Sequence, residues 1–195
     1  MRLTEAKPTR SLLTKLEAQE TNVNLPNLLT VARILLIPVF VLLFLTPTPN
    51  RSIAAALIFV IAAVTDLLDG YLARRRSQVT TLGRLLDPIA DKLLVLSGLI
   101  LLVQFQRVGA FVAILIIARE VAVTGIRGVA ASKGVVLSAE TTGKYKMTTQ
   151  VVAIVVLILE ESLPLHWNLH VIGTACLYVA LALGLISGMG YLLQF

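Results

Sequence analysis

Four aspartates stand in two closely spaced pairs in the first half of this sequence. Asp66 and Asp69 are three residues apart, and Asp87 and Asp91 are four residues apart. On a helix, either spacing brings both carboxylates to one face. Four carboxylates gathered in one place repel one another strongly unless cations neutralise them. Because carboxylate oxygens select hard cations, the two pairs predict a site for Mg²⁺ or Mn²⁺.

Such a site has a definite chemistry. Two metal ions held by carboxylates suit displacement at phosphorus, since they stabilise both the attacking and the leaving oxygen. One aspartate can also accept the proton of an attacking hydroxyl group within hydrogen-bond reach. Gly70 and Ala73 lie on or beside the face of the first pair, where small side chains favour either a nucleotide approaching the backbone or close helix packing. Arg74 either binds a diphosphate or extends toward lipid head groups.

The segments that carry these aspartates are unusually apolar. Of the 195 residues, 57% are hydrophobic and only 14% are charged, with a mean hydropathy of +0.88. A soluble domain is closer to half apolar and a quarter charged, and a chain of this size cannot bury such an excess. We therefore predict an all-α integral membrane protein. The net charge of +6 does not indicate nucleic acid, because most basic residues flank apolar runs and so face anionic lipids.

Six stretches approach the roughly 20 apolar residues that a membrane-crossing helix needs. They are residues 25–45, 52–72, 87–103, 110–131, 143–159 and 169–191. Prolines separate the first stretch from the second and the fifth from the sixth, since proline cannot continue a helix interior. We expect residues 25–195 to form one six-helix domain. The polar segment 1–24 forms either a short interfacial helix over residues 11–17 or a disordered tail.

Basic residues are distributed unevenly between the two predicted sides of the membrane. One side carries Arg2, Lys7, Arg10, Lys15, Arg74, Arg75, Arg76, Arg84 and Lys133, whereas the other carries Arg51 and Arg107. Cytoplasmic loops carry the excess of Lys and Arg. The sequence thus predicts an inner-membrane protein with both termini, and the aspartates near the second connection, on the cytoplasmic side.

A second group of charged residues lies in the fourth and fifth stretches. Arg119 and Arg127 are eight residues apart and share a helix face, while Lys144 and Lys146 begin the next stretch from the same side. These cations predict a pocket for a second anionic group, which favours an acceptor that carries its own phosphate. The alternative is that the outer cations only orient the protein, and that Arg119 pairs with Glu120 or with a carboxylate of another helix.

The full spacing resembles the signature of the CDP-alcohol phosphatidyltransferase family. The matching positions are Asp66-x2-Asp69-Gly70-x2-Ala73-Arg74-x8-Gly83-x3-Asp87-x3-Asp91. Residues 24–33, 118–127 and 143–150 further resemble bacterial members that use glycerol 3-phosphate as acceptor. The resemblance covers about residues 24–150, and the last stretch is generic apolar sequence.

The resemblance implies an activity and a set of roles. A phosphatidyl group would pass from CDP-diacylglycerol to glycerol 3-phosphate, giving phosphatidylglycerophosphate and CMP. Asp66, Asp69 and Asp87 would bind metal, and Asp91 would lie near the metal and act as general base. The donor would be held by Asn27, Thr30, Gly70, Ala73 and Arg74. The family also implies a homodimer with six spans per subunit.

Other functions stay open at this point. Inositol phosphate or phosphatidylglycerol would be alternative acceptors for the same donor. A metal or proton transporter is the alternative from a different class, because intramembrane carboxylates also mark ion pathways. Residues 53–64 and 93–103, the halves of the second and third stretches farthest from the aspartates, contain almost no polar residues. That one-sided distribution favours an enzyme.

Overall fold

The computed structural model describes residues 25–76, 81–133, 141–163 and 168–194, with side chains in 28–65, 89–133, 145–163 and 168–190. The N-terminal segment 1–24 lies outside this description. Six α-helices and no strands occur within the described ranges, in agreement with the predicted all-α architecture. They are α1 (Leu25–Phe44), α2 (Pro49–Arg76), α3 (Thr81–Gln104), α4 (Ala110–Ser132), α5 (Thr141–Leu159) and α6 (Leu169–Gln194).

The helices follow the predicted apolar stretches except around the connection between α2 and α3. α2 continues to Arg76 and α3 already begins at Thr81, so both helices extend beyond the apolar residues at this end. Apolarity stops where charged residues begin, whereas backbone hydrogen bonding continues through residues such as Arg and Leu that favour helices. As a result Asp87 lies well inside α3 rather than at its first residue.

The connection between α1 and α2 follows from its prolines. α1 ends at Phe44, and Pro49 is the first residue of α2. Proline fits the first turn of a helix because its missing N–H would have no partner there. The short link makes α1 and α2 antiparallel neighbours, and the two helices pack against each other.

α3 is the most central helix, since it contacts α1, α2, α4 and α5, while α6 packs on α4 and α5. Aromatic rings fill the space between the first three helices. The Phe40 and Phe59 ring centroids lie 5.2 Å apart, and those of Phe44 and Phe105 lie 5.4 Å apart. The largest fully buried apolar side chains are Phe40, Phe44, Phe59, Leu99, Leu102, Ile154, Leu157, Ile158 and Leu177.

Arg107 attaches the turn between α3 and α4 to the carboxyl end of α5. Its buried guanidinium donates hydrogen bonds of 2.9 Å to the carbonyl oxygens of both Leu157 and Ile158. It also forms ion pairs with Glu160 at 3.2 Å and with Glu161 at 2.6 Å. The last carbonyls of a helix have no partner inside that helix, so Arg107 supplies what the α5 backbone lacks.

Large apolar side chains also cover the outside of the helices. Leu42, Phe111 and Ile186, on three different helices, are 68%, 73% and 64% exposed. Soluble proteins rarely expose wide apolar surfaces. Among the described residues, one helical stretch, Leu169–Gly190, is long and apolar enough to cross a membrane by itself, and shorter apolar stretches occupy Leu28–Phe44, Pro49–Thr65 and Tyr145–Leu159.

Candidate functional site

Charged and polar side chains gather at one end of the helix bundle, which we call the polar end. Its described members are Thr30, Arg33, Asp91, Lys92, Arg119, Glu120, Lys146, Gln150 and Ser187. They come from the first halves of α1, α3 and α5, the middle of α4 and the last part of α6. The buried apolar core, for example Phe40, Phe59 and Leu99, occupies the other half of the bundle.

The predicted metal ligands belong to two helices that contact each other. Asp66 and Asp69 lie on α2, and Asp87 and Asp91 lie on α3. Only Asp91 has a described side chain, which is partly buried. The other three carboxylates are not among the described side chains. The described side chains contain no cluster of acidic, His or Cys residues able to hold a metal, as expected when three of the four proposed ligands are left out. The convergence of the four carboxylates stays a prediction.

Glu120 is the centre of a charged cluster at the polar end, the Glu120 cluster, which consists of Glu120, Lys92, Arg119 and Lys146. The Lys92 ammonium lies 3.2 Å from one Glu120 oxygen. The Arg119 guanidinium lies 3.3 Å from the other oxygen, and the Lys146 ammonium is in direct contact with that same oxygen. The cluster therefore joins α3, α4 and α5 through one carboxylate.

Arg119 also connects the Glu120 cluster to α6. Its Nε donates a hydrogen bond of 2.8 Å to the carbonyl oxygen of Gly184. Gly184 and Gly188 lie beside this side chain, and a Cβ atom added at either would come within 3.5–3.6 Å of the Arg119 Nε. Arg119 therefore lies directly against α6, and its hydrogen bond to the Gly184 carbonyl holds the guanidinium from that side.

The structure unites part of the predicted acceptor pocket. Arg119 and Lys146 meet at Glu120, and both side chains are largely buried. Arg127 is exposed and lies about two turns farther along α4, some 12 Å away along the axis. Lys144 lies on α5, but its side chain is outside the described part. The pairing of Arg119 with Glu120, one of the two sequence alternatives, is present.

Sequence reasoning missed Glu120 as a central group and did not single out Lys92. Both had a recognisable signal, because an ionisable residue inside an apolar stretch is costly and usually faces a functional interior. Lys92 directly follows Asp91, and Glu120 directly follows Arg119. A search for acidic and basic residues together, rather than for basic residues alone, would have identified Glu120 and Lys92.

The predicted donor-binding residues are described less completely. Thr30 is buried on α1, three residues before the fully buried Arg33, so the two share one helix face. Asn27 lies on α1, and Gly70, Ala73 and Arg74 lie on α2. These last four residues lie outside the part of the structure whose side chains are described.

Comparison with known proteins gives a consistent result. The family model for CDP-alcohol phosphatidyltransferase matches residues 23–186. The chain is 42% identical over 180 residues to a CDP-diacylglycerol–glycerol-3-phosphate 3-phosphatidyltransferase of Bacillus subtilis, covering 86% of this chain and 93% of that protein. A protein of the same name from Shigella flexneri is 40% identical over 173 residues, covering 87% of this chain and 93% of the relative.

Proposed function

Because the chain belongs to the CDP-alcohol phosphatidyltransferase family, we propose that it transfers a phosphatidyl group from CDP-diacylglycerol to glycerol 3-phosphate. The products are phosphatidylglycerophosphate and CMP. The observation that carries this proposal is the 42% identity to a relative named for that donor and acceptor. The match covers 93% of that relative. The buried cations of the Glu120 cluster support an acceptor that bears a phosphate.

The proposed reaction is one displacement at phosphorus. A hydroxyl oxygen of glycerol 3-phosphate forms a bond to the phosphorus that carries diacylglycerol, and the bond from that phosphorus to the CMP oxygen breaks. The hydroxyl proton passes to Asp91, whose partly buried position next to the Glu120 cluster supports this role of general base. CMP leaves with the electron pair of the broken bond.

We assign the metal site to Asp66, Asp69, Asp87 and Asp91. The chemistry of this donor set fits Mg²⁺ or Mn²⁺, because all four residues offer hard oxygen ligands from two helices in contact. Two such ions would neutralise the diphosphate of the donor and the charge of the departing CMP. Asn27, Thr30, Gly70, Ala73 and Arg74 would hold the nucleotide and diphosphate of the same donor.

Arg119 and Lys146, with Arg127 and Lys144 nearer the surface, are proposed to bind the acceptor phosphate. A guanidinium and an ammonium both form strong charge-assisted hydrogen bonds with phosphate oxygens. Lys92 brings this pocket close to Asp91, since the two residues are adjacent on α3. The acceptor hydroxyl would then lie between its own bound phosphate and the general base.

The protein is proposed to cross the inner membrane six times, as one domain over residues 25–195. Exposed apolar side chains on its helices and the uneven distribution of basic residues support this. At 1.5 Å per residue α2 extends about 42 Å, longer than a hydrocarbon layer of about 30 Å. Its basic end therefore projects toward the cytoplasm, where the polar end of the bundle would open. Assembly as a homodimer belongs to the same proposal.

The rival functions differ in testable ways. Inositol phosphate as acceptor would use the same cationic pocket, whereas phosphatidylglycerol would bring its phosphate within a lipid. A transporter needs polar groups along the whole path across the membrane. In the described part of the bundle, the half opposite the polar end is packed with Phe40, Phe59 and Leu99, which supports an enzyme.

The proposal is tested by CMP release from purified protein in detergent with CDP-diacylglycerol and Mg²⁺. Glycerol 3-phosphate is compared with inositol phosphate, phosphatidylglycerol and serine, each with and without a chelator. We expect release that depends on glycerol 3-phosphate and stops on metal removal. Release with another acceptor only would overturn the acceptor assignment, and release in the presence of chelator would overturn the metal assignment.

A further inference from the structure

We propose that Glu120 is a positioning residue that sets the charge and geometry of the acceptor-phosphate site and that Lys92 is a further member of that site. This inference rests on the proposed function and assigns two residues beyond the four predicted acceptor cations. The Glu120 carboxylate contacts all three of Lys92, Arg119 and Lys146. Its role is to hold these cations in place rather than to contact the substrate.

The geometry requires a central holder. Lys92, Arg119 and Lys146 belong to three helices, and their side chains would separate if nothing opposed the repulsion between like charges. Glu120 divides its two oxygens among them, with Lys92 on one oxygen and Arg119 and Lys146 on the other. The hydrogen bond from Arg119 to Gly184 fixes the guanidinium from the opposite side. Each cation is thereby oriented before any ligand binds.

The charges match a phosphate monoester. Lys92, Arg119 and Lys146 outnumber the Glu120 carboxylate, so the Glu120 cluster carries up to two excess positive charges when all three basic groups are protonated. A phosphate monoester carries close to −2 at neutral pH. The Glu120 cluster and a bound acceptor phosphate would together be nearly neutral. An alcohol without a phosphate would leave the buried positive charge of the cluster uncompensated. Burial strengthens this preference, because the Arg119, Glu120 and Lys146 side chains are only 9–11% exposed.

Lys92 gives the cluster a direct link to the reacting groups. It follows Asp91 in sequence, so the two residues occupy the same turn of α3. Through Lys92, the Glu120 carboxylate links the acceptor-phosphate site to the turn of α3 that carries the proposed general base.

The test compares Glu120→Gln and Glu120→Asp with wild-type protein. Glutamine keeps the shape but removes the charge, so the three cations repel one another and lose their positions. We expect the KM for glycerol 3-phosphate to rise at least about tenfold, the loss of charged hydrogen bonds being of that order. The KM for CDP-diacylglycerol should stay within about twofold. Aspartate keeps the charge and should bring the acceptor KM back to within about threefold of wild type.

A measurement without turnover accompanies the kinetics. Inorganic phosphate should raise the melting temperature of wild-type protein in detergent, and Glu120→Gln should abolish that rise. Glu161→Gln is the matched control, because Glu161 also pairs with a buried arginine but lies at the other end of the bundle. It should keep the phosphate response. If Glu120→Gln does not fold, Lys92→Met takes its place, with the same expected loss of the response.

The outcomes separate the two proposals. Activity with glycerol 3-phosphate and an unchanged or lower acceptor KM in Glu120→Gln would overturn the inference and leave the proposed function intact. Equal changes in both KM values would also overturn it, since they would mean a general structural role. Wild-type activity confined to an unphosphorylated acceptor, with no phosphate response, would overturn the proposed acceptor and the inference together.

Discussion

At the scale of single residues, Asp91 is the predicted metal ligand whose side chain the structure describes, and it lies at the polar end. We expect Asp91→Asn to lower kcat by about 10²–10⁴-fold, the range that a general base contributes. Asparagine keeps the size of the side chain but cannot accept the hydroxyl proton. CMP release gives the rate, and the melting temperature shows whether the variant is folded. A folded variant with wild-type kcat would remove Asp91 from the role of base.

The residues of the candidate site differ in how far the sequence could predict them. The fixed spacing of the aspartates along a helix indicates a shared face, and their convergence stays a prediction. Arg119 and Lys146 were predicted to share a pocket because the fifth stretch begins on the side where Arg127, on the same face as Arg119, lies. The contact of Glu120 with Lys92 depends on how α3 and α4 pack, which no spacing within one helix encodes. The carboxylate that joins the cations of three helices therefore required the structure.

At the scale of helices, close packing between α5 and α6 depends on Gly173. A Cβ atom added there would lie 2.7 Å from the Leu157 Cγ and 3.2 Å from the Val156 Cγ1. We expect Gly173→Ala to lower the free energy of unfolding by about 1–3 kcal/mol, as overpacked cores do. Gly125→Ala on α4 is the control, since nothing lies within 4 Å of its added Cβ. Equal melting temperatures for the two variants would contradict the packing seen here.

Arg107 makes a second prediction at this scale, because it holds the carboxyl end of α5. Arg107→Met would leave two carbonyl groups without their donor and the nearly buried Glu160 carboxylate without its arginine. Removing one partner of a buried ion pair costs about 3–5 kcal/mol, so we expect a clear fall in melting temperature. The exposed Arg51, at the same end of the bundle, provides Arg51→Met as control. A similar effect of both substitutions would rule out the capping role.

Helix order and most boundaries could be predicted because apolar length and prolines determine them locally. The buried place of Arg107 could not, since the sequence showed only an arginine in a short connection. The same limit explains the α2–α3 connection, where hydropathy marks the apolar part and not the end of the helix. Apolar residues thus predict where a helix lies in the membrane, and hydrogen bonding decides how far it continues.

At the scale of the whole molecule, the polar and apolar ends suggest how the lipid and water-soluble substrates meet. In the described part, the core of the half opposite the polar end is packed with apolar side chains from all six helices, which disfavours passage of a charged acceptor through it. The acceptor would enter the polar end from the aqueous side. The lipid donor would enter sideways between helices, with its diphosphate at the depth of the aspartates. This arrangement requires the polar end to face the compartment that contains the acceptor.

The last prediction concerns the orientation of the protein in the membrane. It is tested by labelling single introduced cysteines after Cys176, the one cysteine of the sequence, has been replaced by alanine. Lys133 directly follows α4 on the predicted cytoplasmic side, and Arg51 lies in the first turn of α2 on the opposite side; both are exposed. A membrane-impermeant thiol reagent should label Lys133→Cys in inside-out vesicles and Arg51→Cys in right-side-out vesicles. CMP release by both variants would show that they are folded. The reverse labelling pattern would place the Glu120 cluster and the aspartates on the outer side, away from cytoplasmic glycerol 3-phosphate, and would contradict the proposed function as well as the topology.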